Sequence, residues 1–101
     1  MIRHIVLFKI ESTFTDTEKT NIKTRLKDML LDLEHKIKEI RSISVWLNAR
    51  EAKATNYDIM LDTTFDSLDA LERYRVHPDH VKVLEYVNSI KLQRVAIDSD
   101  F

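Results

Sequence analysis

Two of the four histidines, one of the three tyrosines and the only proline fall within the run Tyr74-Arg75-Val76-His77-Pro78-Asp79-His80. An imidazole can accept a proton near neutral pH, and a tyrosine hydroxyl can donate a hydrogen bond to a carbonyl or to the enolate that forms from it. Proline breaks a helix from within but is tolerated at its first position. Pro78 therefore predicts one helix ending near Val76 and a second starting at the proline, with His77 near the N-cap and His80 about one turn in. At a helix start the dipole is positive, which disfavours imidazolium and keeps His80 neutral as a candidate general base. The same ring could serve as a hydrogen-bonded core residue. Tyr74 likewise reads either as a hydrogen-bond donor to substrate or as an aromatic on an inner helical stripe, and His77 as a capping residue at the corner. His4 lies on the first strand among Ile2, Val6 and Phe8 and is either a pocket residue or a satisfied buried histidine.

A metal site is not expected. His77 and His80 are one turn apart, but they offer two ligands where catalytic zinc usually takes three, and Asp79 points away from at least one of them on a helix. The chain has no cysteine, which removes thiol catalysis, disulfides and thiolate metal sites together. It has no glycine, so glycine-rich phosphate loops are excluded and positive-φ positions are expected at Asn48 and Asn56. No cofactor is expected.

The elements that must position these residues follow from periodicity. Residues 2–10 read as a strand buried on both faces, with His4, Val6 and Phe8 on one side and Ile5 and Leu7 on the other. Thr15-Asp16-Thr17-Glu18 has capping-box spacing and starts a long amphipathic helix carrying Ile22, Leu26, Met29, Leu30, Leu33 and Ile37. Residues 42–47 alternate as a strand with Ile43, Val45 and Leu47 opposite Trp46. After a polar loop, residues 57–65 alternate again, with Tyr57, Ile59, Leu61 and Phe65 in one row. Asp66 is the expected N-cap of a short helix whose inner stripe is Leu68, Leu71 and Tyr74. The helix restarted at Pro78 is expected to turn Val81, Leu84, Val87 and Ile90 inward. Residues 92–98 form a last strand with Val95 and Ile97 buried.

Strand, helix, strand, strand, helix, strand is the order of an α+β, ferredoxin-like βαββαβ sandwich with a four-stranded antiparallel sheet. Its helices cover one sheet face, and the apolar Ile5 and Leu7 on the other call for a symmetric partner, so a homodimer through the sheet face, a dimeric α/β barrel with helices outside, is expected. Trp46 reads as lining either that interface, the preferred use, or a ligand cavity. The 101 residues suit one domain, 1–101. With 16 basic and 17 acidic side chains no strong field favours nucleic acid, and no apolar run suits a membrane. The absence of a leader-like segment and of cysteine predicts a cytoplasmic protein.

The opening Met1-Ile2-Arg3-His4-Ile5-Val6-Leu7-Phe8-Lys9, the mid-chain Tyr57-Asp58-Ile59-Met60-Leu61-Asp62-Thr63-Thr64-Phe65, and the spacing Tyr74-x-x-His77-Pro78-x-His80-Val81 resemble the stress-responsive dimeric α/β-barrel (Dabb) family along essentially the whole chain. The resemblance implies a ferredoxin-like homodimer of a family whose members mostly have no assigned role. One relative, the plant olivetolic acid cyclase, condenses a linear polyketide in a pocket between sheet and helices. The resemblance implies that Tyr74 and His80 match its catalytic tyrosine and histidine and His4 its pocket histidine, whereas Ile59 stands where it has another histidine. Two functions are thus expected as alternatives. One is a stress-responsive binder of a small apolar or polyketide-like ligand, with His4, Ile59 and His77 in the binding set. The other is a polyketide-cyclase-like lyase with His80 as general base and Tyr74 as donor to the carbonyl or enolate.

Overall fold

A computed structural model describes residues 1–101. The elements are β1 (Ile2–Lys9), α1 (Asp16–Asp32) continued by a 3₁₀ turn (Leu33–His35), β2 (Ser42–Leu47), β3 (Ile59–Phe65), α2 (Leu68–Val76), α3 (Pro78–Ser89) and β4 (Gln93–Asp100). The four strands form one antiparallel sheet in the order β2-β3-β1-β4, so the first strand is interior, as its two apolar rows require. This is the expected α+β, ferredoxin-like architecture. No helix is long and apolar enough to cross a membrane.

Local signals act where expected at two helix starts. Thr15 Oγ1 accepts from the Glu18 N–H while Glu18 Oε1 accepts from the Thr15 N–H, a reciprocal box that satisfies two otherwise unpaired donors. Pro78 opens α3, and His77 caps it by accepting the Asp79 N–H on Nδ1 at 3.1 Å. The N-cap of α2 is Ser67, not Asp66: Ser67 Oγ accepts from the Ala70 N–H, and Asp66 instead accepts from Arg41 Nε and Nη2 at 2.9 and 2.6 Å. A bidentate guanidinium satisfies both carboxylate oxygens, which leaves the serine to cap.

The core lies between the sheet and the helices. Val6, Leu26, Phe65, Leu71 and Tyr74 are fully buried in it, each such side chain contributing about 1.5–3 kcal/mol relative to exposure. Four inward assignments differ from the periodicity. Leu68 is exposed, and Ala70 joins Leu71 and Tyr74 on the inner face of α2. In α3 the inner residues are His80, Val83 and Val87, while Val81 is exposed and Leu84 and Ile90 are only half-buried. The corner at Pro78 fixes how α3 is rotated, and two apolar stripes compatible with a 3.6-residue repeat differ by a single position. The one positive φ is at Lys91, 54°, in the turn from α3 into β4, rather than at Asn48 or Asn56.

The opposite sheet face carries no helix. Register aligns Trp46, Met60, Leu7 and Val95 in one row across all four strands, with Ile5 beside Ile97 in the next. Val95 and Ile97, expected to be buried, are 47 % and 61 % exposed in the single chain, and Trp46 is 57 % exposed. Their parity places them on this bare face, beyond the reach of the intrachain core.

Candidate functional site

The cluster begins with a broken ladder. In an unbroken helix the Arg75 carbonyl would accept from the Asp79 N–H, but that donor caps onto His77. The Arg75 carbonyl is taken instead by His80 Nδ1 at 3.0 Å. A carbonyl only accepts, so the proton of the neutral ring sits on Nδ1, and His80 Nε2, which makes no hydrogen bond, presents a lone pair. His80 is held against Tyr74, with ring centroids 4.2 Å apart and planes tilted by 43°.

Beneath the helices, β1 supplies His4, which is 6.2 Å from Tyr74 between ring centroids in an edge-on contact. Phe65 of β3 fills the angle between them, 5.0 Å from Tyr74 and 6.4 Å from His4. Register places His4 opposite Thr63 on one side and Asp98 on the other. Thr63 Oγ1 donates to the His4 carbonyl, and His4 Nδ1 donates to Asp98 Oδ1 at 2.5 Å. Arg75 Nη2 donates to Asp98 Oδ2 at 2.9 Å, so one carboxylate ties α2 to the first strand through β4. The Tyr74 hydroxyl is the one fully buried side-chain polar atom in the chain without a hydrogen-bond partner.

The charge states follow from burial and partners. Burial pushes the His4 pKa down and outweighs the attraction of Asp98, so His4 is a neutral ring donating from Nδ1. Burial likewise lowers His80 against the pull of the Arg75 carbonyl, and the positive charges of Arg94 and Arg75 add to it. Burial raises the Tyr74 phenol, opposed by Arg94 and Arg75, so it stays protonated. Burial would raise Asp98 too, but hydrogen bonds from His4 and Arg75 hold it below the usual carboxylate range. At neutral pH the cluster presents one buried O–H donor and two imidazole lone pairs, backed by an ionised carboxylate.

This sets a pH dependence. A histidine whose folded pKa lies below its unfolded value binds more protons unfolded than folded, so stability is fully present above the unfolded value of 6.5 and is lost as pH falls below it toward the folded pKa. Urea unfolding at pH 7.5 and 5.5 is expected to show lower stability at the acid value, with part of that loss removed in His80→Gln. Equal stability at both pH values would contradict the neutral, buried rings.

Of the residues singled out by sequence, His4, Tyr74 and His80 come together on the helix side of the sheet. They pack as a closed cluster, respectively 2 %, 0 % and 8 % exposed, and line none of the five principal surface cavities. His77 is occupied in capping at the corner. Ile59 is buried in the core between Phe8 and Leu47, four residues along β3 from the Thr63 that faces His4. No group of three or more His, Asp or Glu side chains is arranged to hold a metal ion. Sequence reasoning missed Asp98 and Arg75. The parity of Asp98 with Ala96, opposite to that of Val95 and Ile97, was the available signal, but only the β1–β4 register brings it to His4.

A family model described as the Stress responsive A/B Barrel Domain matches residues 2–101. The stress-response A/B barrel domain-containing protein DABB1 of Arabidopsis thaliana is 26 % identical over 98 residues, covering 97 % of this chain and 46 % of that protein, so the chain spans about half the length of that relative. A dimeric protein of unknown function and ferredoxin-like fold from Bacteroides fragilis superposes with a TM-score of 0.90 at 33 % identity, covering 99 % of this chain and 95 % of the other. A second dimeric ferredoxin-like protein of unknown function, from Thermobifida fusca, gives 0.79 at 28 % identity, covering 99 % and 90 %.

Proposed function

Because the chain belongs to the stress-responsive A/B barrel domain family, we propose that it acts as a homodimer that binds a small carbonyl compound at His4, Tyr74 and His80. The observation that carries the binding role is the Tyr74 hydroxyl, wholly buried and without a partner beside two imidazole lone pairs. An unmade hydrogen bond at a buried hydroxyl costs about 1–3 kcal/mol, and a ligand oxygen that accepts from Tyr74 removes that cost. Ligand groups that donate, such as a hydroxyl or an enol, suit the free Nε2 atoms of His4 and His80. Entry runs from the helix side of β4, where Arg94, Ala96, Asp98 and Asp100 are exposed, and requires the α2–α3 corner to yield, since the cluster is closed in the free chain.

The dimer is supported by the dimeric relatives and by the bare face on which Ile5, Leu7, Trp46, Met60, Val95 and Ile97 gather with no helix over them.

A lyase or cyclase reading is favoured by one further feature, the tautomer imposed on His80. With Nδ1 donating to Arg75, Nε2 is the basic atom and could remove a proton α to a ketone whose oxygen is held by Tyr74. An unbiased small-molecule screen tests the shared premise. A retained carbonyl compound is expected to shift the imidazole NMR signals of both His4 and His80. Binding that leaves both rings unperturbed would remove the site from consideration.

A further inference from the structure

The strand row that borders the cluster carries a charge without a partner. On the helix side of β4 the residues are Arg94, Ala96, Asp98 and Asp100, opposite Phe8, Val6, His4 and Ile2 of β1. Of the seven arginines, five are engaged: Arg3, Arg41, Arg73 and Arg75 with carboxylates and Arg25 over the Tyr86 ring at 4.4 Å. Arg50, in the β2–β3 connection, and Arg94 make no ion pair. Arg50 is remote in the fold from the cluster, whereas the charge of Arg94 is felt by His4, Tyr74 and His80 alike.

Geometry gives this guanidinium a direction to reach. Arg94 and Asp98 are four residues apart on an extended strand, roughly 13 Å, and the side chain between them on that row is Ala96, which stops at Cβ and is exposed. A flat shelf therefore runs from Arg94 to the edge of the His4–Tyr74–His80 cluster. Within the cluster the groups are two neutral rings and a neutral phenol, none of which balances an anion, and the Arg75 charge is already engaged by Asp98. Arg94 is left as the cation at the entrance, with the planar fork suited to a carboxylate.

Resting on the reading that the cluster binds a carbonyl compound, we propose that Arg94 is the specificity-determining residue of the site. Its guanidinium holds the carboxylate of a keto acid laid across Ala96, while the ketone oxygen accepts from the Tyr74 hydroxyl. The ligand class is thus a small keto acid with an apolar body that stacks against the Tyr74 and Phe65 side of the cluster, in preference to the neutral ketone or ester.

The probes are 4-oxo-4-phenylbutanoate, 5-oxo-5-phenylpentanoate and their methyl esters, titrated into the 101-residue chain at pH 7 and followed by NMR. At least one acid is expected to bind about tenfold or more tightly than its ester, a ratio corresponding to roughly 1.4 kcal/mol. In Arg94→Gln the acid is expected to fall to the affinity of its ester and the ester to be unchanged, with no loss of thermal stability, because Arg94 is exposed and unpaired. Tyr74→Phe is expected to weaken acid and ester together. An acid preference that survives Arg94→Gln, or acids and esters of equal affinity for the unaltered chain, would overturn the role of Arg94 and leave the carbonyl site standing. Failure of every acid and every ester to bind would overturn both.

Discussion

Leu7→Asp is expected to convert a dimer into a folded monomer. Leu7 lies at the middle of the row Trp46, Met60, Leu7 and Val95 on the face that no helix covers. In a two-fold assembly through that face, each copy would bring a carboxylate into a desolvated contact without a counter-charge. Breaking a buried ion pair on one side costs about 3–5 kcal/mol, and an unpaired buried charge belongs to the same scale. Aspartate is also too short to carry its charge out to water as a lysine would. In the separated chain position 7 is only half-buried and on the solvent side of the sheet, so the monomer keeps its core and its circular dichroism. Sedimentation equilibrium at micromolar concentration is expected to give twice 12.0 kDa for the unaltered chain and 12.0 kDa for the variant. An unaltered chain that sediments only as a monomer would sink the interface.

Tyr74→Phe is expected to make the protein more stable while weakening its ligand affinity. The ring is fully buried against Phe65, His4 and His80, and phenylalanine keeps that packing. What it deletes is a buried hydroxyl without a partner, whose desolvation costs about 1–3 kcal/mol when nothing is bound. A gain of about 1 kcal/mol corresponds to a rise in Tm of about 4–8 °C for a domain of this size. A hydroxyl that served the fold would give the opposite sign. The measurement is therefore a thermal melt paired with a binding titration: a higher Tm with weaker carbonyl binding supports a site maintained at the expense of stability, and a lower Tm refutes it.

Much of the molecule is legible from short-range signals. The Thr15–Glu18 box, the break at Pro78 with His77 as cap, and the alternation of β1, β2 and β3 are written in neighbouring residues, because caps, proline and side-chain parity act within one turn or one pleat. Those signals also placed His4, Tyr74 and His80 on elements that face one another. Family resemblance through the same residues pointed to the fold and to a site in this region.

The rest depends on partners far apart in sequence. Asp98 meets His4 across 94 residues, and Arg75 meets Asp98 across 23. Neither contact has a local signature, because strand register is set by the whole sheet. The inner stripe of α3 sits one position from the expected one for a related reason: Val83 and Leu84 are both apolar, and only the docking of His80 on the Arg75 carbonyl decides which faces the sheet. Val95 and Ile97 have a strand's periodicity, yet which side of that strand finds a helix is decided by topology, and they face away from all three. Sequence by itself determined the elements, their order and the residue types of the site. Tertiary structure alone decided which of those residues share a proton, which hydroxyl is left without a partner, and which guanidinium is left without a carboxylate. Those outcomes turn on distances between segments, and no spacing along the chain encodes them.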